Sequence, residues 1–439
     1  MPPLHRPRLS VGLLLIAFAL PWLSGCSNDA LTPPDVENDL FDSYVALGNS
    51  ITAGFQSSGI NQNTQQESYA VLLAEQMGTP FTIPSLIPPG CPPPLAQLFP
   101  AERIDDETDC ALRDSSVASL PNNVAVPSAA VADVFSNQSP AAAPNPLTQF
   151  ILGGQTQLEA AKRVNPTFLT AWIGNNDVLT AVLRGDPDLA TSPASFRARY
   201  SRLLKEVASI NTLEGAIFIG IADVTLIPHL STGAAYRQAI ATGQDAGALP
   251  PNIETQSCAP TESGAVRVPF QHGAALLQSA QGLRQLGSSE TITLDCSQDR
   301  TVEETIRESL SDNIESVILG QIGDEIRRIS LLTAQETSAL KIRVDTFNQF
   351  IRSQIDQADR EYGYVNPNPL FSENSDQIPA FPELFDNPDT PWDSSQPFGP
   401  LFSLDGIHPS AEAHRLVTNA IIDEIANTYD VQLSPVSTR

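Results

Sequence analysis

The chain has 439 residues and a formal net charge of −26, from 24 basic and 50 acidic side chains; proline is abundant at 37, and there are only three lysines, Lys162, Lys205 and Lys341. So acidic a surface repels phosphate backbones and excludes general nucleic-acid binding. With 41% hydrophobic residues over this length, the chain can bury a large core, which excludes a disordered polymer or a mini-domain that needs staples merely to fold. The acid excess reads either as salt adaptation or as a consequence of genome base composition.

Met1–Ser10 carries Arg6 and Arg8 and no acid, and Val11–Trp22 is a continuous apolar run. The run is shorter than the roughly 20 residues that span a bilayer and reads as the core of a secretory signal, residues 1–25. It ends in Leu23-Ser24-Gly25-Cys26, which resembles the lipobox of bacterial lipoproteins, whose cysteine is acylated and becomes the first mature residue. Each buried acyl CH₂ contributes about 0.8 kcal/mol, so several chains on one residue anchor without a helix. The alternative is an ordinary signal peptide with a chance cysteine. Ser27 rather than Asp follows Cys26, and by resemblance to lipoprotein sorting this implies the outer membrane, facing the periplasm or the cell surface. Residues 26–39, with Pro33-Pro34 and several acids, read as an acylated tether.

Four cysteines remain: Cys91, Cys110, Cys258 and Cys296. They fit an oxidising compartment and permit three connectivities. Short loop closure favours 91–110 and 258–296. The absence of a C-x-x-C leaves zinc ribbons and thioredoxin-like chemistry unsupported.

Beyond the tether, Tyr44–Leu47 is a β-type run ending at Gly48-Asn49-Ser50. A helix is expected over Glu67–Met77, with Gly78 as its stop. Thr167–Ile173 forms a second strand running into Gly174-Asn175-Asn176-Asp177. Ser192 and Pro193 open a helix carrying Phe196, Tyr200, Leu203, Leu204, Val207 and Ile210 at helical spacing. Gly215–Ala222 is an apolar strand of the doubly buried type. Thr333 and Glu336 form a capping box for a helix running to Ile355, and a last helix is expected over Ser410–Tyr429. Strands alternating with long helices argue a mainly parallel sheet with helices on both faces. The expected organisation is one α/β domain, residues 40–435, with insertions at about 79–120, 231–330 and 366–400. The first two are expected to form the substrate wall, and the second to hold a helical stretch near Val302–Ile329.

Four segments could carry chemistry. Ser50, at a strand-to-helix turn, stands exposed at the sheet edge, where backbone N–H groups point outward and receive negative charge. In Asp405-Gly406-Ile407-His408, an imidazole able to take a serine proton lies three residues beyond a carboxylate that can fix its tautomer. Asn176 can offer an amide donor to a developing oxyanion, and the backbone of Ser128, in Asn123–Ala129, can offer another. His229 lacks a carboxylate at that spacing and reads as structural or close to substrate. His272 reads as solvated, and His414 as structural.

Together these blocks resemble the SGNH hydrolase superfamily, the GDSL-type esterases and lipases. Ser50 matches the nucleophile, Asn176 the third block, and Asp405 and His408 the fourth, in order across residues 40–430. Glu67-Ser68-Tyr69, Asp223-Val224-Thr225 and Phe402–Gly406 add to the likeness. Asn49 stands where the family has Asp, and Ser128 where it has Gly. The resemblance implies a flavodoxin-like α/β/α fold and carboxylic-ester hydrolysis through an acyl-enzyme. Ser50, Asp405 and His408 would be catalytic, and Ser50, Ser128 and Asn176 would form the oxyanion hole. It requires no metal or cofactor. The expected partners are an ester substrate, lipid or acylated glycan, and a membrane reached through the lipid anchor. The alternative is a surface lipoprotein that binds glycan or lipid and has lost catalysis.

Overall fold

The computed structural model describes residues 38–98, 101–106, 120–136, 146–258, 266–384 and 395–438, which all belong to one unit, Val36–Arg439. Cys26 and the signal region lie outside them, as does Cys110, the expected partner of Cys91.

Four parallel strands form the central sheet: β1 (Tyr44–Gly48), β2 (Phe168–Trp172), β3 (Gly215–Ile219) and β4 (Gly363–Val365), hydrogen-bonded in that order. All residues of β1, β2 and β3 are buried, so both faces of these strands must be covered. Alternate side chains go to opposite faces. Val45, Leu47, Leu169, Ala171, Ala216 and Phe218 enter one core. Tyr44, Ala46, Phe168, Trp172, Ile217 and Ile219 enter another.

Helices supply the covers, starting with α1 (Ser50–Ala53) and α2 (Tyr69–Met77), then α3 (Gln157–Val164), α4 (Asn176–Arg184), α5 (Pro193–Ala208), α6 (Ala334–Asp356) and α7 (Ala411–Tyr429). Phe196, Tyr200, Leu203 and Val207 of α5, with Leu340, Val344, Phe347 and Ile351 of α6, fill the first core. Phe196 and Phe347 stack with ring centroids 3.8 Å apart. Tyr69, Leu73 and Met77 of α2, with Val417, Ile421, Ile422 and Ile425 of α7, fill the second. Burying a side chain of this size contributes about 1.5–3 kcal/mol, so each helix is held by its apolar stripe. The expected caps form: the Ser192 side chain accepts from the Ser195 N–H, Thr333 and Glu336 make the reciprocal box, and Ser410 caps α7.

At the free edge of β1, residues 122–126 run alongside without forming a full strand. Ala46 N–H donates to Asn122 O, and Val124 and Val126 donate to Ala46 O and Gly48 O. This edge segment carries the Ser128 loop to the same end of the sheet as Ser50.

The insertion at 231–330 has a core of its own, built by Tyr236, Leu276, Leu283, Ile292, Val302 and Ile306 among others. Ile253–Gln256 pairs in parallel with Ile292–Asp295, and the Cys258–Cys296 disulfide, with Cα atoms 5.1 Å apart, ties their ends as expected. The single helical stretch expected over Val302–Ile329 is three helices, Val302–Ser309, Asp312–Leu319 and Asp324–Arg327, because Leu310 turns to extended backbone with ψ 155°. His272 is not solvated. It lies fully buried in the helix Phe270–Gln285, its Nδ1 donating to Ile329 O at 3.0 Å, and burial pushes its imidazole down to about 4.

Candidate active site

Ser50 begins α1 immediately beyond β1 and is buried there, not exposed as expected, because His408 packs against its hydroxyl. The turn is tight: a Cβ at Gly48 would stand 2.7 Å from Trp172 O and inside the Thr52 hydroxyl, so only glycine fits. Asn49 caps α1 by accepting from the Ile51 N–H at 3.0 Å. Its amide faces Asn175 Oδ1 at 3.5 Å. The Ser50 N–H has no acceptor among the described residues, as expected at a first helical position.

His408 arrives from the other end of the chain. Its Nε2 lies 3.0 Å from Ser50 Oγ, across 358 positions of sequence, and its Nδ1 lies 2.8 Å from Asp405 Oδ2. A carboxylate only accepts, so Nδ1 carries the proton and Nε2 is the acceptor facing the serine hydroxyl. Gly406, at φ +65°, makes the turn that lets one short segment supply both groups.

Asp405 is held by five donors. Oδ2 accepts from His408 Nδ1 and, at 2.6 Å, from the Ser58 N–H. Oδ1 accepts from the Ile407 and His408 N–H groups, each at 2.9 Å, and from Ser403 Oγ at 3.1 Å. Burial alone would push this carboxyl up. The His408 charge and these hydrogen bonds outweigh burial and hold it well below the usual carboxylate range.

The loop after α1 closes the junction. Ser57 and Ser58 both take positive φ, 53°. In that conformation the Ser57 N–H reaches Ser403 Oγ at 2.8 Å, and Ser57 Oγ accepts from the Leu404 N–H at 3.2 Å. His229 braces the turn from the opposite side: its N–H donates to Gly406 O at 3.0 Å and its Nδ1 to Asp405 O at 2.9 Å. Expected to be structural or close to substrate, His229 holds the backbone of the Asp-His turn with its ring. His414 is structural as expected, accepting from the Tyr69 N–H at 3.2 Å while burial and the His408 charge push it down to about 3. Ser58 and the bracing role of His229 carry no sequence signal, because the contacts run through the Ser58 N–H and the Asp405 and Gly406 carbonyls; Ser403 lies within the Phe402–Gly406 block, which does carry one.

On the other side of Ser50, Asn176 opens α4. Its Nδ2 donates to Ala129 O at 2.9 Å, leaving the second amide hydrogen of that nitrogen, and Asn176 lines the same cavity as Ser50. Ser128 lies one residue before Ala129 on an exposed turn, with φ +64°. Its N–H has no acceptor among the described residues. Ser128 itself is not in the cavity wall. Beneath this loop, Asp133 accepts from the Ala130 N–H and Asp177 from the Val131 N–H. The remaining oxygen of each is buried without a partner. Burial pushes both carboxyls up, Asp133 to about 6, with the neighbouring Asp177 charge adding to its rise.

The cavity holds about 700 Å³ and has Ser50, Asn176 and His408 in its wall. Leu179, Val224, Leu226, Ile227, Phe371 and Ile378 make much of that wall apolar. The expectation for the insertions needs correcting. None of the described residues of 79–120 lines the cavity; that segment is tied instead to the loop beyond α1, through Ile60 N–H to Pro92 O and Gln62 N–H to Leu86 O. The 231–330 insertion contributes only its root, Thr232 and Arg267, and residues from 366 to 380 form the wall in its place. Among the described residues no group of three or more His, Cys, Asp or Glu could hold a metal ion, and no helix is long and apolar enough to cross a membrane.

No protein-family model matches this chain, and no curated protein does.

Proposed function

We propose that this protein is a serine hydrolase of carboxylic esters that acts through an acyl-enzyme. The observation that carries the reading is the continuous relay from Ser50 Oγ through His408, at 3.0 and 2.8 Å, to the buried Asp405. His408 Nε2 takes the Ser50 proton as Oγ attacks the ester carbonyl. The Ser50 N–H and the free Asn176 amide hydrogen receive the charge that develops on the carbonyl oxygen, with the Ser128 N–H as third donor. The C–O bond to the alcohol breaks, and His408 returns the proton to the departing oxygen. Water, deprotonated by the same imidazole, then attacks the acyl carbon and releases the acid and Ser50.

The flavodoxin-like SGNH assignment belongs to the same proposal. Counting the 122–126 edge segment as a second strand gives the spatial order 2-1-3-4-5, one of the two common doubly wound orders. Ligands in such sheets sit outside the carboxyl ends of the strands, where Ser50 and Asn176 both fall. Anchoring through Cys26 as an outer-membrane lipoprotein, disulfide pairing of Cys91 with Cys110, and lipid or acylated-glycan esters as substrates complete the reading.

The test is turnover of short 4-nitrophenyl esters together with labelling by a fluorophosphonate. Wild-type protein is expected to hydrolyse the esters and label at Ser50, and Ser50→Ala to lose both. Full turnover by Ser50→Ala, or a folded wild type that neither labels nor turns over, rejects the reading.

A further inference from the structure

Arg267 opens the strand Arg267–Pro269 at the root of the 231–330 insertion. The strand pairs antiparallel with Leu230–Thr232, and Arg267 is also bridged through its backbone to Leu332 in both directions, at 2.8 and 3.0 Å. Its main chain is therefore fixed on two sides. Arg267 lines the cavity that contains Ser50 and His408.

The guanidinium is left over in the local charge pattern. Its Nε is buried with no hydrogen-bond partner, and among the described residues no carboxylate pairs with it. The acids nearby are already engaged. Asp223 binds Lys341 Nζ at 3.2 Å and accepts from Thr225 Oγ1 at 2.6 Å. Asp345 takes the same lysine at 3.4 Å. Burial pushes the Arg267 guanidinium down from its ordinary value, and the Asp223 charge offsets this only in part. A buried Nε that lacks an acceptor is costly, and Arg267, fixed on a rigid strand in the cavity wall, is placed to take an acceptor from outside. The four side chains, Arg267, Lys341, Asp223 and Asp345, sum to no net charge. Recognition here must come from hydrogen bonds made directly to Arg267, not from a diffuse attractive field, which a chain of net charge −26 does not offer to anions.

We infer that the cavity takes an ester substrate bearing an oxyanion group, a carboxylate or phosphate remote from the scissile bond, and that Arg267 is the receptor for that group. The inference rests on the esterase reading for its reaction but not for its binding. A planar guanidinium fork matches the two oxygens of either anion.

Two matched substrate pairs separate the sources of the anion. The first is 4-nitrophenyl octanoate against mono-4-nitrophenyl suberate, whose free carboxylate ends the acyl chain. The second is a monoacylglycerol against the corresponding lysophosphatidate, whose phosphate ends the alcohol part. In at least one pair, Arg267→Gln is expected to lower the charged-to-neutral ratio of kcat/KM about 10- to 100-fold, through KM; Arg267→Lys restores part of it. Ratios that Arg267→Gln leaves unchanged in both pairs overturn the inference. A calorimetric titration of Ser50→Ala and of Ser50→Ala/Arg267→Gln with octanoate and with octanol needs no turnover. Tighter binding of octanoate that Arg267→Gln removes supports the receptor, and a preference for octanoate that is absent or survives Arg267→Gln overturns it. Since this readout is independent of catalysis, an anion site that survives while ester turnover is absent separates the failure of the esterase reading from that of this one.

Discussion

The two flanks of Ser50 are built on opposite electrostatic principles. On the His408 side, Asp405 meets five donors, and both its oxygens are satisfied. On the Asn176 side, where the oxyanion hole is proposed, Asp133 and Asp177 each keep one buried oxygen without a partner. The first flank holds a carboxylate charged and the second drives carboxyls towards the neutral form. A charged Asp405 polarises His408 in the one tautomer that can accept the serine proton. The Asp133 and Asp177 carboxyls beneath the Ala129–Val131 loop hold its N–H groups, and burial makes their ionisation harder than that of an ordinary carboxyl.

The sharpest way to break this contrast is Asp405→Asn. The amide places a donor where His408 Nδ1–H and the Ser58 N–H both need an acceptor. The imidazole flips tautomer, and Nε2 then points a hydrogen at Ser50. The expected loss in kcat is about 10⁴-fold with KM little changed, as for a triad whose geometry is kept and whose tautomer is wrong. Steady-state kinetics beside a circular dichroism spectrum of the folded variant checks it. A loss below tenfold would mean that Asp405 only supports the turn.

Asn176→Ala attacks the other flank. It removes the amide proposed as an oxyanion donor and also releases Ala129 O. The loss expected is about 10²–10³-fold in kcat, the usual value of one oxyanion donor. Labelling of Ser50 by a fluorophosphonate should slow in parallel, since that adduct also places an oxygen in the hole. If turnover falls while labelling holds its rate, Asn176 acts on substrate binding instead.

Stability against pH tests the two flanks together, and the signs are opposite. Asp405 has a lowered folded value, so its contribution is present above the ordinary carboxylate pKa, near 3.9, and is lost as pH falls through the folded value. Asp133 has a raised folded value, about 6. Its neutral form suits the folded protein below pH 4, and stability is lost as pH rises from about 4 through 6. Asp133→Asn keeps an oxygen acceptor for the Ala130 N–H and removes the titration. The Tm of this variant relative to wild type is therefore expected to rise by about 1–3 °C between pH 4 and 7. A constant difference across that range would mean that the carboxyl is ionised throughout.

The same contrast governs what could be read from the sequence. Ser50, Asn176, Asp405 and His408 stand in short local blocks, each beside a strand end or turn whose residues declare it. The long helices α5, α6 and α7 announce themselves through caps and apolar spacing. Strand β4 does not: it has three residues, one of them glycine, and Tyr364 at its centre is only half-buried. The helix Phe270–Gln285 is rich in Gly, Ala, Ser and Gln, so its burial, and that of His272 on it, follows from neighbours in the separate core and not from a visible stripe. The braces on Asp405 from Ser58 and His229 act through backbone atoms brought together over more than 170 positions, which no local pattern records.

The smallest expected effect concerns Ser128. At φ +64° it occupies the left-handed region where a Cβ costs roughly 1–2 kcal/mol and where glycine is at ease. The N–H on which the oxyanion proposal relies belongs to the backbone and is present with either residue. Ser128→Gly removes the Cβ strain but frees the unfolded chain as well, and the two effects oppose each other. The net gain expected is about 0.5–1 kcal/mol in denaturant unfolding, with kcat within about threefold of wild type. If kcat instead falls tenfold or more at unchanged stability, the Ser128 hydroxyl itself contacts the substrate. The oxyanion flank would then have a side-chain donor that its exposed position outside the cavity wall does not suggest.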